Sequence, residues 1–178
     1  MLEPIDRQLL AGLKSGVESA YAELYDRFTP RLFRTARLLT GSDAAAEDVI
    51  QDVFVGVFQA RRNLNGVENL CAYLFSSLRH ATTKRANKKP IVTWYDQTSA
   101  LVMEKTTTCA DSHEDRLERA LKSLPDDQRD AVLLKIDGDL TFEELGNILG
   151  VSANTAASRY RYALAKLREH FEDKNRGR

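Results

Sequence analysis

Apolar residues recur every three or four positions along most of this chain. From Ser19 to Leu39 they fall at Ala20, Leu24, Phe28, Leu32, Ala36 and Leu39, one side of an amphipathic helix. Pro30 lacks a backbone donor, so a kink or break is expected near Thr29. Gly41 should stop this helix, with Ser42 or Asp43 capping the next. That helix, Ala44 to Arg62, carries Val49, Ile50, Val53, Phe54, Val57 and Phe58 on a wide apolar face, so Phe54 and Phe58 read as core. "NLNGVEN", Asn63 to Asn69, reads as a turn-rich loop. A further helix is expected from Glu68 to Lys89, with Leu70, Tyr73, Leu74, Ser77 and Leu78 inward.

The regular spacing is lost between Ile91 and His113, which reads as a linker. It resumes in helices from Glu114 to Leu124 and from Asp126 to Ile136, with Pro125 marking the second start. Thr141 to Leu167 then reads as two helices joined by a tight turn. Thr141 and Glu144 have the spacing of a capping box, Gly150 can take the left-handed conformation, and Ser152 can cap the second helix. Leu145, Ile148 and Leu149 face inward, as do Ala156, Tyr160, Ala163, Leu164 and Leu167. The pattern predicts an all-α chain of two small helical domains joined by a flexible linker, the second a helix-turn-helix domain. The expected boundaries are 1–90, 91–113 and 114–173, with a frayed tail at 174–178.

On the second helix of that motif Asn154, Thr155, Ser158, Arg159 and Arg161 lie away from the apolar face, near its N-terminal end. Amides, hydroxyls and guanidinium groups placed there suit base edges and phosphates. A solvated helical hairpin is the plainer alternative. Charge sharpens the choice, because 26 basic and 26 acidic side chains cancel over 178 residues but are unevenly placed. Arg79, Lys84, Arg85, Lys88 and Lys89 form one acid-free run; Arg159, Arg161, Lys166 and Arg168 form another. Four cations give a salt slope of only about −4, a modest DNA affinity that calls for a further source of binding energy. No apolar run is long enough for a bilayer, Met1 to Gly16 does not read as a signal peptide, and a cytoplasmic protein is expected. Cys71 and Cys109 form no metal pair, the three histidines are scattered, and no nucleophile–base pair or phosphate loop is found. The composition therefore points to no cofactor, no metal and no enzyme.

Glu47, Asp48, Gln51 and Asp52 share the other face of the 44–62 helix. Spacing alone leaves three readings open: a solvated face, metal ligands, or a docking surface for a basic partner. The order of segments supplies a resemblance. "AYAELYDRFTPRLFRTARLLTGSDAAAEDVIQDVFVGVFQ", "NLCAYLFSSLRHATTKRANKK" and "LPDDQRDAVLL" followed by "TFEELGNILGVSANTAASR" are similar to the extracytoplasmic-function group of bacterial RNA polymerase sigma factors. Ala157 stands where members commonly have Lys.

The resemblance implies a chain that binds core RNA polymerase and directs it to promoter DNA by reading −35 and −10 elements. It makes Glu47, Asp48, Gln51 and Asp52 the polymerase-docking face, and Asn154, Thr155, Ser158, Arg159 and Arg161 the −35 contacts. Arg79, Lys84, Arg85, Lys88 and Lys89 would hold DNA near −10, with Asn63 and Asn65 in a loop that catches an unstacked base or is a plain surface loop. An anti-sigma factor is a further partner it allows. The competing function is a dimeric helix-turn-helix repressor or activator.

Overall fold

The computed structural model describes residues 4–88 and 113–176, and among these the structure is helical with no strand. The linker expected at 91–113 lies outside the described residues except for His113, which opens a helix, and Lys89 and Cys109 also lie outside them. The elements are α1 (Pro4–Lys14), α2 (Glu18–Thr40), α3 (Asp43–Ala60), a 3₁₀ segment (Arg61–Gly66), α4 (Leu70–Lys88), α5 (His113–Lys122), α6 (Asp126–Asp137), α7 (Phe142–Leu149) and α8 (Ala153–Arg176).

The first domain is a helical bundle whose core is set by the stripes of α2, α3 and α4. Leu24, Leu32, Val49, Leu70, Leu74, Phe75 and Leu78 are fully buried there. The α1 helix was not foreseen; its Leu9, Leu10 and Leu13 close this core, and the Tyr21 hydroxyl donates to the Leu13 carbonyl at 3.0 Å. No break occurs at Pro30, and α2 runs through it. Pro30 and Asp26 are both exposed, so the carbonyl that loses its bond one turn earlier faces water. The expected loop is partly ordered: Arg61–Gly66 winds as 3₁₀ because Leu64 drops into the core. Phe58 is a second correction, 50% exposed rather than core, while Phe54 is half-buried. Phe58 lies off the edge of the buried stripe, its ring centre 5.4 Å from that of Tyr21 and 4.4 Å from the Arg61 guanidinium.

The second domain packs α6, α7 and α8 together. Thr141 caps α7 in a complete capping box, its hydroxyl accepting from the Glu144 N–H while the Glu144 carboxylate accepts from the Thr141 N–H at 2.8 Å. Gly150 takes φ 68°, left-handed, where a side chain would be strained. Ser152 caps α8, its Oγ accepting from the Thr155 N–H at 3.1 Å. Leu164 is exposed, at the edge of the α8 stripe, and α8 runs to Arg176. One apolar cluster crosses both domains: Ala131, Leu134, Leu140, Leu145 and Ala156 join the residues of α1 to α4.

The turn between α7 and α8 is tight enough to be tested. A Cβ on Gly146 would stand 2.7 Å from the Val151 carbonyl oxygen and 3.1 Å from the Ala153 nitrogen, both backbone atoms that cannot swing away. Gly146→Ala should therefore cost about 1–3 kcal/mol of stability by thermal unfolding followed by circular dichroism. Gly56→Ala, mid-helix in open space, should instead stabilise by about 0.5–1 kcal/mol.

Candidate nucleic-acid and polymerase interface

Three surfaces carry the candidate chemistry. On the first, Asn154, Thr155 and Arg161 are exposed and Ser158 and Arg159 half-exposed on α8. The Thr155 hydroxyl is 2.9 Å from Ser152 Oγ, and the Arg161 guanidinium donates to Ser158 Oγ at 3.2 Å. Arg159 is drawn to α6, where its Nη2 lies 2.7 Å from Asp127. The α8 N-terminus thus offers an amide, hydroxyls and one guanidinium to solvent within its first turns.

The second surface is the C-terminal half of α4. Lys84 is exposed and Arg85 half-exposed, while Arg79 is tied down: its Nη2 lies 2.8 Å from Asp130 of α6 and its Nη1 donates to Thr83 at 2.5 Å. Lys88 is helical, but its side chain is outside the described set, as is that of Asn65; Asn63 is exposed. Asn69, at the end of the expected loop, caps α4 by accepting from the Ala72 N–H at 3.1 Å, and its amide donates to Glu144 at 2.7 Å.

The third surface is α3, where Glu47, Asp48, Gln51 and Asp52 are all exposed. Arg85 joins this surface to the second, donating to Asp48 at 2.6 Å and lying 3.9 Å from Asp52. Val55, 46% exposed, sits on the same outward side of α3, with Phe58 beside it. Sequence reading had missed Val55 and misplaced Phe58. The available signal was rotational: Val55 lies nearly opposite Val53 and Val57 at 100° per residue. Among the described residues no group of three His, Cys, Asp or Glu side chains could hold a metal, and no helix is long and apolar enough to cross a membrane.

Between the domains the polar contacts are long-range. Asp137 accepts from Thr35 at 2.6 Å and from Arg34 Nε at 3.2 Å, with Arg34 Nη2 also on it. Arg37 pairs with Glu118, and the Cys71 thiol donates to the Gly138 carbonyl at 3.1 Å. Burial pushes the Cys71 thiol up from its ordinary value. Burial likewise raises the Asp130 carboxyl, against the opposing pull of Arg79 and then Arg129. Glu144 moves the other way: burial would raise it, but the Thr141 N–H, the Asn69 amide and the Thr141 hydroxyl together hold it below its ordinary value.

The described residues form two helical domains, the second a helix-turn-helix, with an acidic outward face on α3. Residues 24–89 match the sigma-70 region 2 family and residues 120–169 match sigma-70 region 4. The ECF RNA polymerase sigma factor RpoE of Cereibacter sphaeroides is 30% identical over 166 residues, covering 86% of this chain and 87% of that one. CarQ of Myxococcus xanthus, an RNA polymerase sigma factor, is 28% identical over 165 residues, covering 88% and 91%. Two solved structures share the fold at 22% identity. CnrH, in complex with the cytosolic domain of CnrY, has a TM-score of 0.70 and covers 94% of this chain and 97% of its own. The sigma factor RpoE of Bartonella quintana, in complex with the anti-sigma factor NepR, has a TM-score of 0.69 and covers 85% and 96%. This chain belongs to the extracytoplasmic-function group of RNA polymerase sigma factors, which direct core RNA polymerase to promoters. The dimeric repressor reading gives way to it.

The Glu144 geometry predicts a pH dependence. A carboxyl held low in the fold contributes stability that is complete above its unfolded value, ordinarily near 4.5, and lost as pH falls through the folded one. Thermal melts between pH 6 and pH 3 should show this loss. Glu144→Gln should flatten that part of the profile and cost about 1 kcal/mol at neutral pH, half-exposure limiting the effect.

Proposed function

We propose that the three surfaces divide the work of promoter recognition. The exposed face of α3, with Glu47, Asp48, Gln51 and Asp52, docks on a basic surface of core polymerase. The α8 helix enters the major groove at the −35 element, with Asn154, Thr155, Ser158, Arg159 and Arg161 facing bases and phosphates. Arg79, Lys84, Arg85, Lys88 and Lys89 hold the backbone near −10, and Asn63 and Asn65 sit where an unstacked base could be bonded at its edge. Residues 1–90 and 114–173 are the two working units, and 91–113 tethers them. The observation carrying this division is the placement of an exposed amide, hydroxyl and guanidinium set within the first turns of α8, next to a rigid Gly150 turn.

The protein works by binding, with no catalytic step of its own, and in the cytoplasm where polymerase and chromosome are. An anti-sigma factor is a further partner, supported by the solved complex of Bartonella quintana RpoE with NepR. A chain of zero net charge gains DNA affinity mainly by being tethered to polymerase, where two weak modules act at high effective concentration.

Run-off transcription with core polymerase on a fragmented bacterial genome should give discrete new starts sharing two motifs; no binding to core polymerase at all would overturn the reading. Asp48→Arg with Asp52→Arg should lower core affinity at least tenfold, measured by fluorescence titration. Arg161→Ala should cost about 1–3 kcal/mol of −35 recognition, read by footprinting of the holoenzyme.

A further inference from the structure

Two tyrosines stand two residues apart on α8, and the helix sends them to opposite sides. Tyr160 packs edge-on to Phe142, ring centres 5.8 Å apart, and joins the apolar side with Ala156 and Ala163. Tyr162 is 66% exposed, the most exposed large apolar side chain among the described residues. None of those residues holds it by a hydrogen bond, a ring contact or an ion pair. At 100° per residue it lies about 40° round the helix from Ser158 and about 20° from Thr155, with Asn154 and Arg161 on the far side of Ser158. An aromatic ring with no packing role therefore stands within the polar face.

Most of its polar neighbours are already engaged. Arg161 donates to Ser158 Oγ at 3.2 Å, and the Thr155 hydroxyl is 2.9 Å from Ser152 Oγ. Aromatic side chains on a helix lean toward its N-terminal end, over the residues three and four positions earlier. For Tyr162 those are Arg159, held to one side by Asp127 at 2.7 Å, and Ser158, which is small. The ring thus has a clear path toward the end of α8 that reads base edges. Along the axis Asn154 and Tyr162 are about 12 Å apart, about the width of the major groove. Both fit within one groove.

Chemistry selects what the ring can meet there. Its edge is apolar, and thymine alone among the four bases presents an apolar group in the major groove, the C5-methyl. From Ala153 to Arg168 the helix has four cations and no acid, so a polyanion can approach it without repulsion. We propose that Tyr162 is a specificity-determining residue, its ring covering the C5-methyl of one thymine in the −35 element. Such a contact requires α8 in the −35 groove, the placement proposed above, and adds to it the base read at one position. Arg161 and Asn154 bond polar edges, whereas Tyr162 reads a methyl group.

Deoxyuridine isolates that methyl, because it pairs as thymine does and lacks nothing else. The holoenzyme, formed from the full-length chain and core polymerase, is bound to a promoter taken from the run-off experiment above. Each thymine on either strand of the −35 element is replaced singly by deoxyuridine, and affinity is read by competition footprinting. At one position the wild-type holoenzyme should lose about three- to fivefold, the worth of one buried methyl. Tyr162→Ala should lose at least as much on the unmodified promoter and show no further loss at that position. Tyr162→Phe should keep the wild-type sensitivity. Tyr162 faces water, so Tyr162→Ala should not lower the melting temperature, and its weaker binding is then no consequence of unfolding.

The assignment is overturned if no deoxyuridine weakens the wild type, or if Tyr162→Ala stays as sensitive as wild type at every position. Arg161→Ala tells this failure from failure of the −35 placement. A −35 footprint weakened by Arg161→Ala, with no effect of deoxyuridine, removes Tyr162 alone. Unchanged −35 protection in both Arg161→Ala and Tyr162→Ala removes the placement of α8 as well.

Discussion

A carboxylate taken out of water must find a cation or hydrogen-bond donors, and the relation between the two halves of this molecule depends on that constraint at Asp137. Arg34 and Thr35 supply its partners from a helix more than a hundred residues away in sequence. Around this contact the apolar core passes without interruption from Leu32 and Ala36 into Ala131, Leu134 and Leu140. The apolar surface provides most of the attraction, at roughly 25 cal/mol per Å². The ion pairs decide which face of α6 meets α2 and α4, because a rotated or shifted α6 would bury Asp130 or Asp137 against carbon.

The same logic explains how a chain with no net charge can be built to meet a polyanion. Arg79, Arg85 and Arg159, all read as DNA contacts, each face an acid on another helix: Asp130 on α6, Asp48 on α3 and Asp127 on α6. Pairs as exposed as Arg85–Asp48 and Arg159–Asp127 are worth less than about 1 kcal/mol, so a phosphate can replace the carboxylate at little cost. If these arginines contact DNA as proposed, the acids would lower the affinity for bulk DNA without removing the capacity for it. Arg85 also touches the helix assigned to polymerase docking. A basic polymerase surface that engages Asp48 and Asp52 would release Arg85 at the moment DNA is to be held.

Local structure was legible from the sequence where a few adjacent residues determine it. Thr141 and Glu144 form the expected capping box, Gly150 is left-handed, and Ser42 and Ser152 both cap as their positions imply. The expectations that failed depended on surroundings. Pro30 did not break α2 because the freed carbonyl lies on the water side, which periodicity does not reveal. The leucines of α1 form too short a stripe to be distinguished from chance without the surface they cover. Phe58 looked like core because it is aromatic and near the stripe, yet half of its surface is exposed. The ion pairs joining the domains were invisible for a simpler reason: single charges have no periodicity, and nothing local links Arg34 to Asp137.

The misplacement of Phe58 bears on the helix proposed to dock on polymerase. Reading α3 as an apolar face plus an acidic face made its outward side purely electrostatic. With Val55 and Phe58 exposed, the outward side is an apolar strip beside four polar or acidic side chains, and Tyr25 packs on Phe54 next to it, ring centres 4.9 Å apart. Charges on the rim of an interface steer encounter and are screened by salt, whereas desolvated aromatic and aliphatic groups near its centre set the dissociation rate. A docking surface made only of Asp48, Gln51 and Asp52 would be weak at physiological ionic strength. If α3 docks on polymerase as proposed, Val55 and Phe58 would add the salt-resistant contact that a tether needs for two modest DNA-binding modules to act as one.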